Sequence, residues 1–359
     1  MSPQPTSTQN ITAVPDKDIK VVTTCSPDPA TSQKPKDKVI RQKQSTSLTD
    51  HHEENTQESI IQSPVDALPQ LKEFWKRKDT EVVVSVVPSQ ITGNSILIHH
   101  SELRTLRPHY WLTGEIIESL LHHTANDLNL GSRIYILNHY IAGVILFGKR
   151  EMVRRNSLSR TNFDNYEGIV SFVNVHNVHW KFLYISTATR SVYLVDPARS
   201  SADLTDSNHA AKRLNEYFKM RRTSLGKTDW VDIKWKGGVM QHPVQQDGNS
   251  CGVLVIMMAK AVMEAFPKIP KIEFGTSKRE MAQQRQHFAL EILKASVFDT
   301  ESSCAMCATT KPPSHGPSIT DWIQCDSCCR WFHAQCLQMD TAQLDAVKTD
   351  DWDCYLCRK

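Results

Sequence analysis

The chain has 359 residues, with 42 Lys and Arg against 39 Asp and Glu, which gives a formal net charge of +3. This length exceeds the usual size of a single domain, so we expect two ordered parts and a tail. The near balance of charge excludes an overall strongly basic nucleic-acid binder and an overall polyacidic chain, and no direct nucleic-acid binding is predicted. The most apolar run, "VLVIMMAKAVM", is short and interrupted by Lys260, and the opening residues have no apolar signal-peptide core. We therefore expect an intracellular protein without membrane contact.

Residues 1–65 have a composition of their own, rich in Ser, Thr, Pro, Gln and Lys and poor in aromatic residues. Such a segment cannot bury enough apolar surface to offset the entropy of ordering, so we expect a disordered tail. Cys25 lies within it, and a thiol without fixed neighbours has no group to activate it. We interpret Cys25 as incidental.

Residues 66–298 carry the patterns of one mixed domain. A helix is predicted in "WLTGEIIESLLHHTANDL", where apolar residues recur at helical spacing. Three β-branched and aromatic runs, at 169–175, 181–186 and 191–196, are typical of neighbouring strands. Further helices are predicted in "SNHAAKRLNEYFKMRR", "CGVLVIMMAKAVMEAF" and "KREMAQQRQHFALEILKA", and a short strand in "WVDIKW". Because helices and strands do not alternate regularly, the predicted fold class is α+β.

Cys251 follows a Gln-Asp-Gly-Asn-Ser turn and directly precedes an apolar run that is predicted to be a helix. A helix N-terminus beside an imidazole stabilises a thiolate, which makes this cysteine a candidate nucleophile, although a small core residue would fit the same pattern. A cysteine hydrolase also needs a proton carrier, a group that orients it and a donor for the oxyanion. The sequence offers His179 at the start of one predicted strand, Asp196 at the end of its neighbour, and Gln245 before Cys251.

Four segments in chain order, "HYWLTGEIIESLL", "VHWKFLYI", "VYLVDPA" and "VQQDGNSCGV", resemble the papain-like proteases that process ubiquitin-like modifiers. These are the sentrin-specific (SUMO-deconjugating) proteases and their adenoviral relatives. The resemblance implies a papain-like fold in which the catalytic residues come in the order His, Asp, Cys. It implies that His179 is the general base, Asp196 orients it, Cys251 is the nucleophile and Gln245 donates to the oxyanion.

Two alternatives and two departures accompany this resemblance. His176 competes with His179 for the role of base, and Gln246 competes with Gln245 for the role of oxyanion donor. The family often has Ser after the aspartate and Asp or Asn before the cysteine, where this chain has Pro197 and Ser250. These departures leave the subfamily and the substrate open.

Trp111 and Trp180 match two tryptophans that, in this family, sandwich the flat Gly-Gly end of the modifier. A slot between two indoles admits glycine and excludes larger side chains, so the resemblance implies that Trp111 and Trp180 bind the substrate. The alternative interpretation is that both are ordinary core aromatics. His139 and His242 have no partner visible in the sequence, and we interpret them as structural or exposed.

After residue 300 the apolar runs disappear, and eight of the ten cysteines lie there. A domain of about sixty residues with so little core needs metal staples. Four ligand pairs, each with two residues between its members, supply two tetrahedral structural zinc sites, and no metal is expected for catalysis. The eight predicted ligands are Cys304, Cys307, Cys325, Cys328, His333, Cys336, Cys354 and Cys357.

The order of these ligands around "WIQCDSCCRWFHAQC" resembles the plant homeodomain (PHD) finger over residues 301–359. The resemblance implies an interleaved cross-brace and leaves Cys329 unligated. PHD fingers often bind histone tails, and those that bind methylated lysine use an aromatic cage. Trp322 and Trp331 match cage positions. The first zinc site would hold Cys304, Cys307, His333 and Cys336, and the second Cys325, Cys328, Cys354 and Cys357.

Together these patterns predict a nuclear cysteine isopeptidase of the SUMO-protease type whose C-terminal finger binds a histone tail. Its expected partners are a ubiquitin-like modifier with its conjugates and, as a second candidate, a histone tail. One alternative is a mobile-element or virus-like maturation protease, and another is a catalytically inactive modifier-binding chromatin reader. The sequence leaves open whether the substrate is SUMO, another ubiquitin-like protein or ubiquitin.

Overall fold

The computed structural model describes residues 39–40, 64–91, 93–199, 201–313 and 321–358. Nearly all of the predicted tail at 1–65, including Cys25, lies outside the described residues. The helices are α1 (Pro64–Lys76), α2 (His100–Leu103), α3 (Gly114–Asp127), α4 (His139–Phe147), α5 (Arg150–Arg155), α6 (Asp203–Leu225), α7 (Cys251–Ala265), α8 (Lys278–Lys294) and α9 (Thr341–Thr349). The strands are β1 (Val39–Ile40), β2 (Val83–Pro88), β3 (Ser95–His99), β4 (Ile134–Ile136), β5 (Gly168–Val175), β6 (His179–Ser186), β7 (Ser191–Val195), β8 (Lys236–Gly237), β9 (Trp322–Gln324) and β10 (Trp331–His333).

A five-stranded sheet in the order β4-β5-β6-β7-β8 organises the larger part of the chain. Strands β5, β6 and β7 are antiparallel neighbours, and the short outer strands β4 and β8 pair in parallel with β5 and β7. The three predicted runs at 169–175, 181–186 and 191–196 are therefore strands. Between β5 and β6, His176 and Asn177 have left-handed backbone angles, φ 56° and 60°, in the turn that reverses the chain. This turn places His179, and not His176, on the sheet.

Both faces of this sheet are covered, which explains why β5, β6 and β7 are almost wholly apolar. Successive side chains of a strand point to opposite faces. Accordingly Phe172 and Phe182 enter a core with α3, α7 and α8, whereas Val173 and Leu183 enter a second core with α4 and α6. The result is a three-layer α+β arrangement. No helix in the described part of the chain is both long and apolar enough to cross a membrane.

The predicted strand at "WVDIKW" is wrong. Residues 229–232 form turns, residues 233–235 have no regular secondary structure, Trp230 has a left-handed backbone angle of 55°, and the strand β8 begins only at Lys236. The aromatic content that suggested a strand has another cause, because Trp230 and Trp235 pack against Phe218 in the second core.

The cysteine-rich end packs directly against the hairpin of β2 and β3 and against α1. The Val83 amide donates to the Ala305 carbonyl at 2.8 Å, and the Arg330 guanidinium donates to the Val83 carbonyl at 3.1 Å. The Arg77 guanidinium donates to the Leu356 carbonyl at 3.3 Å. Apolar side chains on both sides of this contact belong to one continuous core.

Strands β9 and β10 pair antiparallel and form a three-stranded sheet with β1. The register of β1 on β9 joins Val39 to Ile323 and Ile40 to Trp322. Residues 39–40 thus occupy the edge of β9 that β10 leaves open.

Candidate active site

Neighbouring strand ends bring a histidine and an aspartate together, as the sequence predicts. His179 is the first residue of β6, and Asp196 follows the last residue of β7. Because β6 and β7 are antiparallel, the start of one lies beside the end of the other. The His179 Nε2 atom lies 2.7 Å from Asp196 Oδ1. The carboxylate therefore holds the imidazole in one orientation.

Each member of this pair stabilises the charged form of the other. The hydrogen bond to Asp196, followed by an interaction with Cys251, raises the pKa of His179 to about 9, so its imidazole is protonated at neutral pH. Burial raises the pKa of Asp196, but hydrogen bonds from His179, the Ala198 amide and Lys181 outweigh it and hold that pKa far below the usual range of aspartate. The site thus contains a stable imidazolium–carboxylate pair.

Cys251 is the first residue of α7 and is buried, with 3% of its surface exposed. Its interaction with His179 contributes to the raised pKa of that imidazole, so the structure brings Cys251, His179 and Asp196 to one place. The first amides of a helix have no acceptor within the helix and carry the positive end of its dipole. A thiolate at Cys251 is therefore stabilised by both α7 and the imidazolium.

Gln245 lies beside the same site, but its amide is engaged within its own turn. The side-chain amide donates to the Asp247 carbonyl at 2.6 Å and lies 3.2 Å from Asp247 Oδ1, while its own Oε1 is buried and has no hydrogen-bond partner. Gln246, the alternative donor, is exposed. The oxyanion role of Gln245 stays a prediction and requires the amide to turn away from Asp247. The first amides of α7 need no such change.

Asp247 organises the turn before Cys251, a role that the sequence patterns did not assign. Its Oδ1 accepts from the amides of Asn249 at 3.1 Å and Ser250 at 2.9 Å, and its Oδ2 accepts from the Ser250 hydroxyl at 2.7 Å. An aspartate that bonds to the backbone two and three residues ahead is a common turn device. The spacing of Asp247 within "QDGNSC" is a signal that could have predicted it.

A second layer of charged groups surrounds Asp196 from distant parts of the chain. Lys181 lies 3.0 Å from Asp196 Oδ2 and 2.7 Å from Asp206. The Asp196 amide donates to Asp203 at 3.0 Å, and His242 lies 3.0 Å from the other oxygen of Asp203. The partner of His242 is thus a buried aspartate on α6, which no local sequence signal indicates.

The two candidate slot tryptophans lie in different environments. Trp111 is 52% exposed, and its indole donates to the Gly248 carbonyl at 3.1 Å. Trp180 is 7% exposed, and its indole donates to the Leu112 carbonyl at 2.9 Å. Trp180 also packs against Phe172 at 5.3 Å between ring centroids. Both lie next to the chain segments of the site, and their role in binding a Gly-Gly end stays a prediction.

His139 packs against Trp180 and has partners within the fold. Its ring stacks on Phe172 at 4.9 Å, meets Trp180 edge-on at 5.7 Å and lies 3.1 Å from Glu118. A side chain at Gly114 would clash with this ring, since its Cβ would lie 2.5 Å from it. His139 is therefore structural, as the sequence interpretation has it.

The eight predicted zinc ligands form two clusters in which all ligand atoms lie within 4.8 Å of one another. Two ligands of one tetrahedral zinc at about 2.3 Å lie about 3.8 Å apart. The Cys328 and Cys354 sulfurs lie 3.7 Å apart, and His333 Nδ1 lies 3.5 Å from the sulfurs of Cys307 and Cys336. The donor sets therefore fit two structural zinc ions. The clusters are Cys304, Cys307, His333, Cys336 and Cys325, Cys328, Cys354, Cys357, in the interleaved order, and neither includes Cys329.

The two predicted cage tryptophans differ in exposure. Trp322 is 5% exposed, and its ring lies 4.0 Å from the ring of the zinc ligand His333. This burial leaves little open ring face on Trp322, and its role as a cage residue stays a prediction. Trp331 is partly exposed and remains the candidate for a histone-tail contact.

Comparison with known proteins divides the chain into two matched parts. Residues 147–297 match the family described as the Ulp1 protease family, C-terminal catalytic domain. Residues 304–357 match the PHD-finger family. No curated protein matches the chain.

The solved structures that the chain matches include several proteases. The SUMO protease Ulp1 with its catalytic cysteine oxidised to a sulfenic acid is 18% identical, with a TM-score of 0.47, over 64% of this chain and 94% of that one. The C-terminal Ulp1 domain in complex with Smt3, the yeast ortholog of SUMO, is also 18% identical, with a TM-score of 0.47, over 64% and 93%. The Xanthomonas campestris effector XopD bound to ubiquitin is 15% identical, with a TM-score of 0.34, over 49% and 90%.

The family matches agree with the α+β fold, with the site at the N-terminus of α7 and with the two Cys and His clusters. The chain carries a Ulp1-family cysteine protease catalytic domain followed by a PHD finger.

Proposed function

We propose that this chain is a cysteine-type isopeptidase that removes or processes SUMO or a related ubiquitin-like modifier. One observation carries the proposal: a buried thiol at the N-terminus of α7 interacts with the His179 imidazole, which lies 2.7 Å from Asp196. This set of groups can both form a thiolate and move a proton. Membership of residues 147–297 in the Ulp1 family supports the same activity.

In the first half of the proposed reaction, the Cys251 thiolate attacks the carbonyl carbon of the modifier's C-terminal glycine. The carbonyl oxygen takes up the negative charge, and the first amides of α7, which have no acceptor within the helix, donate to it. His179 then gives its proton to the leaving lysine amine as the C–N bond breaks. The products are a free amine and a thioester between Cys251 and the modifier.

In the second half, water hydrolyses the thioester. His179, now neutral, takes a proton from water as the oxygen attacks the thioester carbon, and the C–S bond breaks to release the modifier's carboxylate. Asp196 holds the imidazole in position in both halves and stabilises its charged form. Gln245 contributes a further oxyanion donor if its amide turns toward Cys251.

The proposed substrate class follows from the family and from the exposed indole beside the site. Trp111 is half exposed and bonded to the turn that carries Cys251, so it can cover the last residues of an extended peptide that enters here. The related Ulp1 domain has been solved with Smt3, and the related XopD with ubiquitin. SUMO is therefore the first candidate, and ubiquitin the comparison.

The proposal is tested with modifiers that carry a C-terminal vinyl sulfone or a fluorophore. We expect the chain to form a covalent adduct with the SUMO probe and to release the fluorophore from the SUMO substrate, and we expect Cys251→Ser to abolish both. If no modifier is labelled or cleaved by folded protein, the proposal is wrong. If that folded protein cleaves a polyprotein instead, the result would favour a maturation protease.

We further propose that the PHD finger holds two structural zinc ions and binds a histone tail, which implies a nuclear site of action. The tetrahedral ligand distances support the zinc sites, and the partly exposed Trp331 is the candidate contact for methylated lysine. Zinc content measured by mass spectrometry tests the metal, and tail-peptide binding by Trp331→Ala against the unchanged chain tests the contact. Equal binding of methylated and unmethylated peptides by the unchanged chain would refute the methyl-lysine role.

A further inference from the structure

Arg285, on α8, is a buried cation close to the candidate nucleophile. The residue is only 1% exposed. Among the described residues, its guanidinium donates to three backbone carbonyls: Thr105 at 3.2 Å, Arg107 at 3.3 Å and Asn249 at 2.8 Å. A buried guanidinium that has no bonded carboxylate is costly, so negative charge close to it must compensate.

Asp247 in the turn supplies negative charge near Arg285, and Cys251 supplies it when its thiol is ionised. Burial lowers the pKa of Arg285 to about 10, and the charges of Asp247 and Cys251 oppose that shift. Arg285 is therefore still a cation at neutral pH. Because the interaction between two charges is mutual, a cation that a thiolate stabilises also stabilises that thiolate.

The charged groups at this corner come from three elements. His179, which is paired with Asp196, contributes a positive charge from β6. Asp247 contributes a negative charge from the turn, and Arg285 contributes a positive charge from α8. Of these, His179 and Arg285 favour a negative charge at Cys251, whereas Asp247 disfavours it. Removing Arg285 takes away one of the two cations that these interactions place near Cys251, and the imidazolium remains.

The same side chain joins two segments of the site. Thr105 and Arg107 belong to the segment that leads to Trp111, and Asn249 belongs to the turn that leads to Cys251. The Trp111 indole donates to the Gly248 carbonyl of this turn at 3.1 Å. Two consecutive carbonyls of the nucleophile turn are thus held by side chains from outside it.

We propose that Arg285 is a positioning residue of this active site: it fixes the turn that carries Cys251 against the segment that carries Trp111, and its charge stabilises the Cys251 thiolate. The inference rests on the proposed function for the identity of the nucleophile, but its main readout needs no substrate. A role in folding alone would leave the reactivity of the thiol in the folded protein unchanged.

The test measures the rate of Cys251 alkylation by iodoacetamide across pH, in the zinc-loaded full chain. Mass spectrometry of the peptide that contains Cys251 separates this thiol from the others. We expect Arg285→Met to raise the midpoint pH of the alkylation rate by about one unit, because an adjacent opposite charge shifts such an ionisation by roughly one to three units. Arg285→Lys keeps the charge, so its midpoint is expected to stay near that of the unchanged chain.

Cleavage of a modifier substrate gives the second readout. A lysine cannot bond both segments as the planar guanidinium does, so Arg285→Lys is expected to lower kcat/KM despite its unchanged midpoint. Asp247→Asn, which removes the opposing charge, is expected to lower the midpoint of alkylation. An unchanged midpoint in folded Arg285→Met overturns the proposed role.

A paired comparison applies if Arg285→Met alone does not fold. Asp247→Asn is then compared with the double variant that also carries Arg285→Met, which removes a cation and an anion together. A higher midpoint in the double variant supports the role of Arg285, and equal midpoints overturn it. If the midpoints shift as expected and no modifier is cleaved, the inference about Arg285 stands and the proposed function fails.

Discussion

Asp196→Asn is expected to lower the pKa of His179 and the stability of the fold together. The substitution keeps the shape of the side chain but removes the negative charge 2.7 Å from the imidazole. In the unchanged chain the pKa of His179 rises from 6.5 to about 9, and the hydrogen bond with Asp196 is the largest cause. The pKa of His179 in the variant should therefore fall from about 9 toward the ordinary value of histidine, and the interaction with Cys251 should keep it above that value.

The expected loss of stability follows from the same shift. A rise of ~2.5 units at 1.36 kcal/mol per unit corresponds to about 3 kcal/mol. The interaction of His179 with Cys251 contributes part of this shift and remains in the variant. Since the His179 side chain is only 24% exposed, solvent screening is modest. We expect Asp196→Asn to lower the free energy of unfolding by about 2 kcal/mol at its maximum.

The sign of the pH dependence of stability follows from the two pKa shifts. A histidine whose pKa is raised in the folded state contributes all of its stability below the unfolded value of 6.5 and loses it as pH rises through about 9. An aspartate whose pKa is lowered contributes fully above its unfolded value of 3.8 and loses its contribution at lower pH. The difference between the unchanged chain and the variant should therefore be largest between pH 3.8 and 6.5 and small above pH 9.

Two measurements check this prediction. The imidazole resonances of His179, followed by NMR across pH, give its pKa, and urea unfolding at each pH gives the stability. Asp206→Asn is the matched control, because Asp206 shares Lys181 with Asp196 but is not bonded to His179. A His179 pKa that stays near 9 in Asp196→Asn, or falls equally in Asp206→Asn, would show that the pair does not cause the shift.

Three further changes test other parts of the site. Cys251→Ser should abolish modifier cleavage with little change in the melting temperature, because the hydroxyl nearly preserves volume but forms no anion at neutral pH; near-normal turnover would exclude Cys251 as nucleophile. Trp180→Ala should reduce cleavage of Gly-Gly substrates more than alkylation of the thiol, since a slot positions the peptide; equal losses would assign Trp180 to the fold. Removal of zinc by a chelator should unfold the finger and lower the melting temperature of the remaining fold, because the Val83 and Ala305 backbones are bonded across one shared core. Circular dichroism and zinc release measured together test this coupling. An unchanged melting temperature of the remaining fold after zinc release would contradict it.

The sequence predicts those features that depend on short segments. The apolar runs of β5, β6 and β7 predict strands because they are buried on both faces, and the tryptophan after His179 distinguishes it from His176, which lies in the turn. The four zinc-ligand pairs follow from the spacing of their members, since each pair is local, whereas their interleaved grouping is implied by the resemblance to the PHD finger.

Other features depend on contacts between distant segments, and no local pattern reports them. Arg285 bonds to Asn249 and Thr105, and His242 bonds to Asp203, across gaps that only the folded chain closes. Burial misleads in the same way, because the aromatic run ending at Trp235 has the composition of a strand but forms a turn and an irregular segment whose tryptophans pack in a core.

The pairing of Val39 and Ile40 with β9 means that these two residues occupy the strand edge of the finger to which a peptide ligand could also pair. A peptide that adds a strand to this edge forms main-chain hydrogen bonds that residues 39–40 already use. A competitor within the same chain acts at an effective concentration that a free peptide must overcome. Any ligand that wins this competition displaces residues 39–40 from β9, so binding of that ligand at this edge and the pairing of β1 exclude each other.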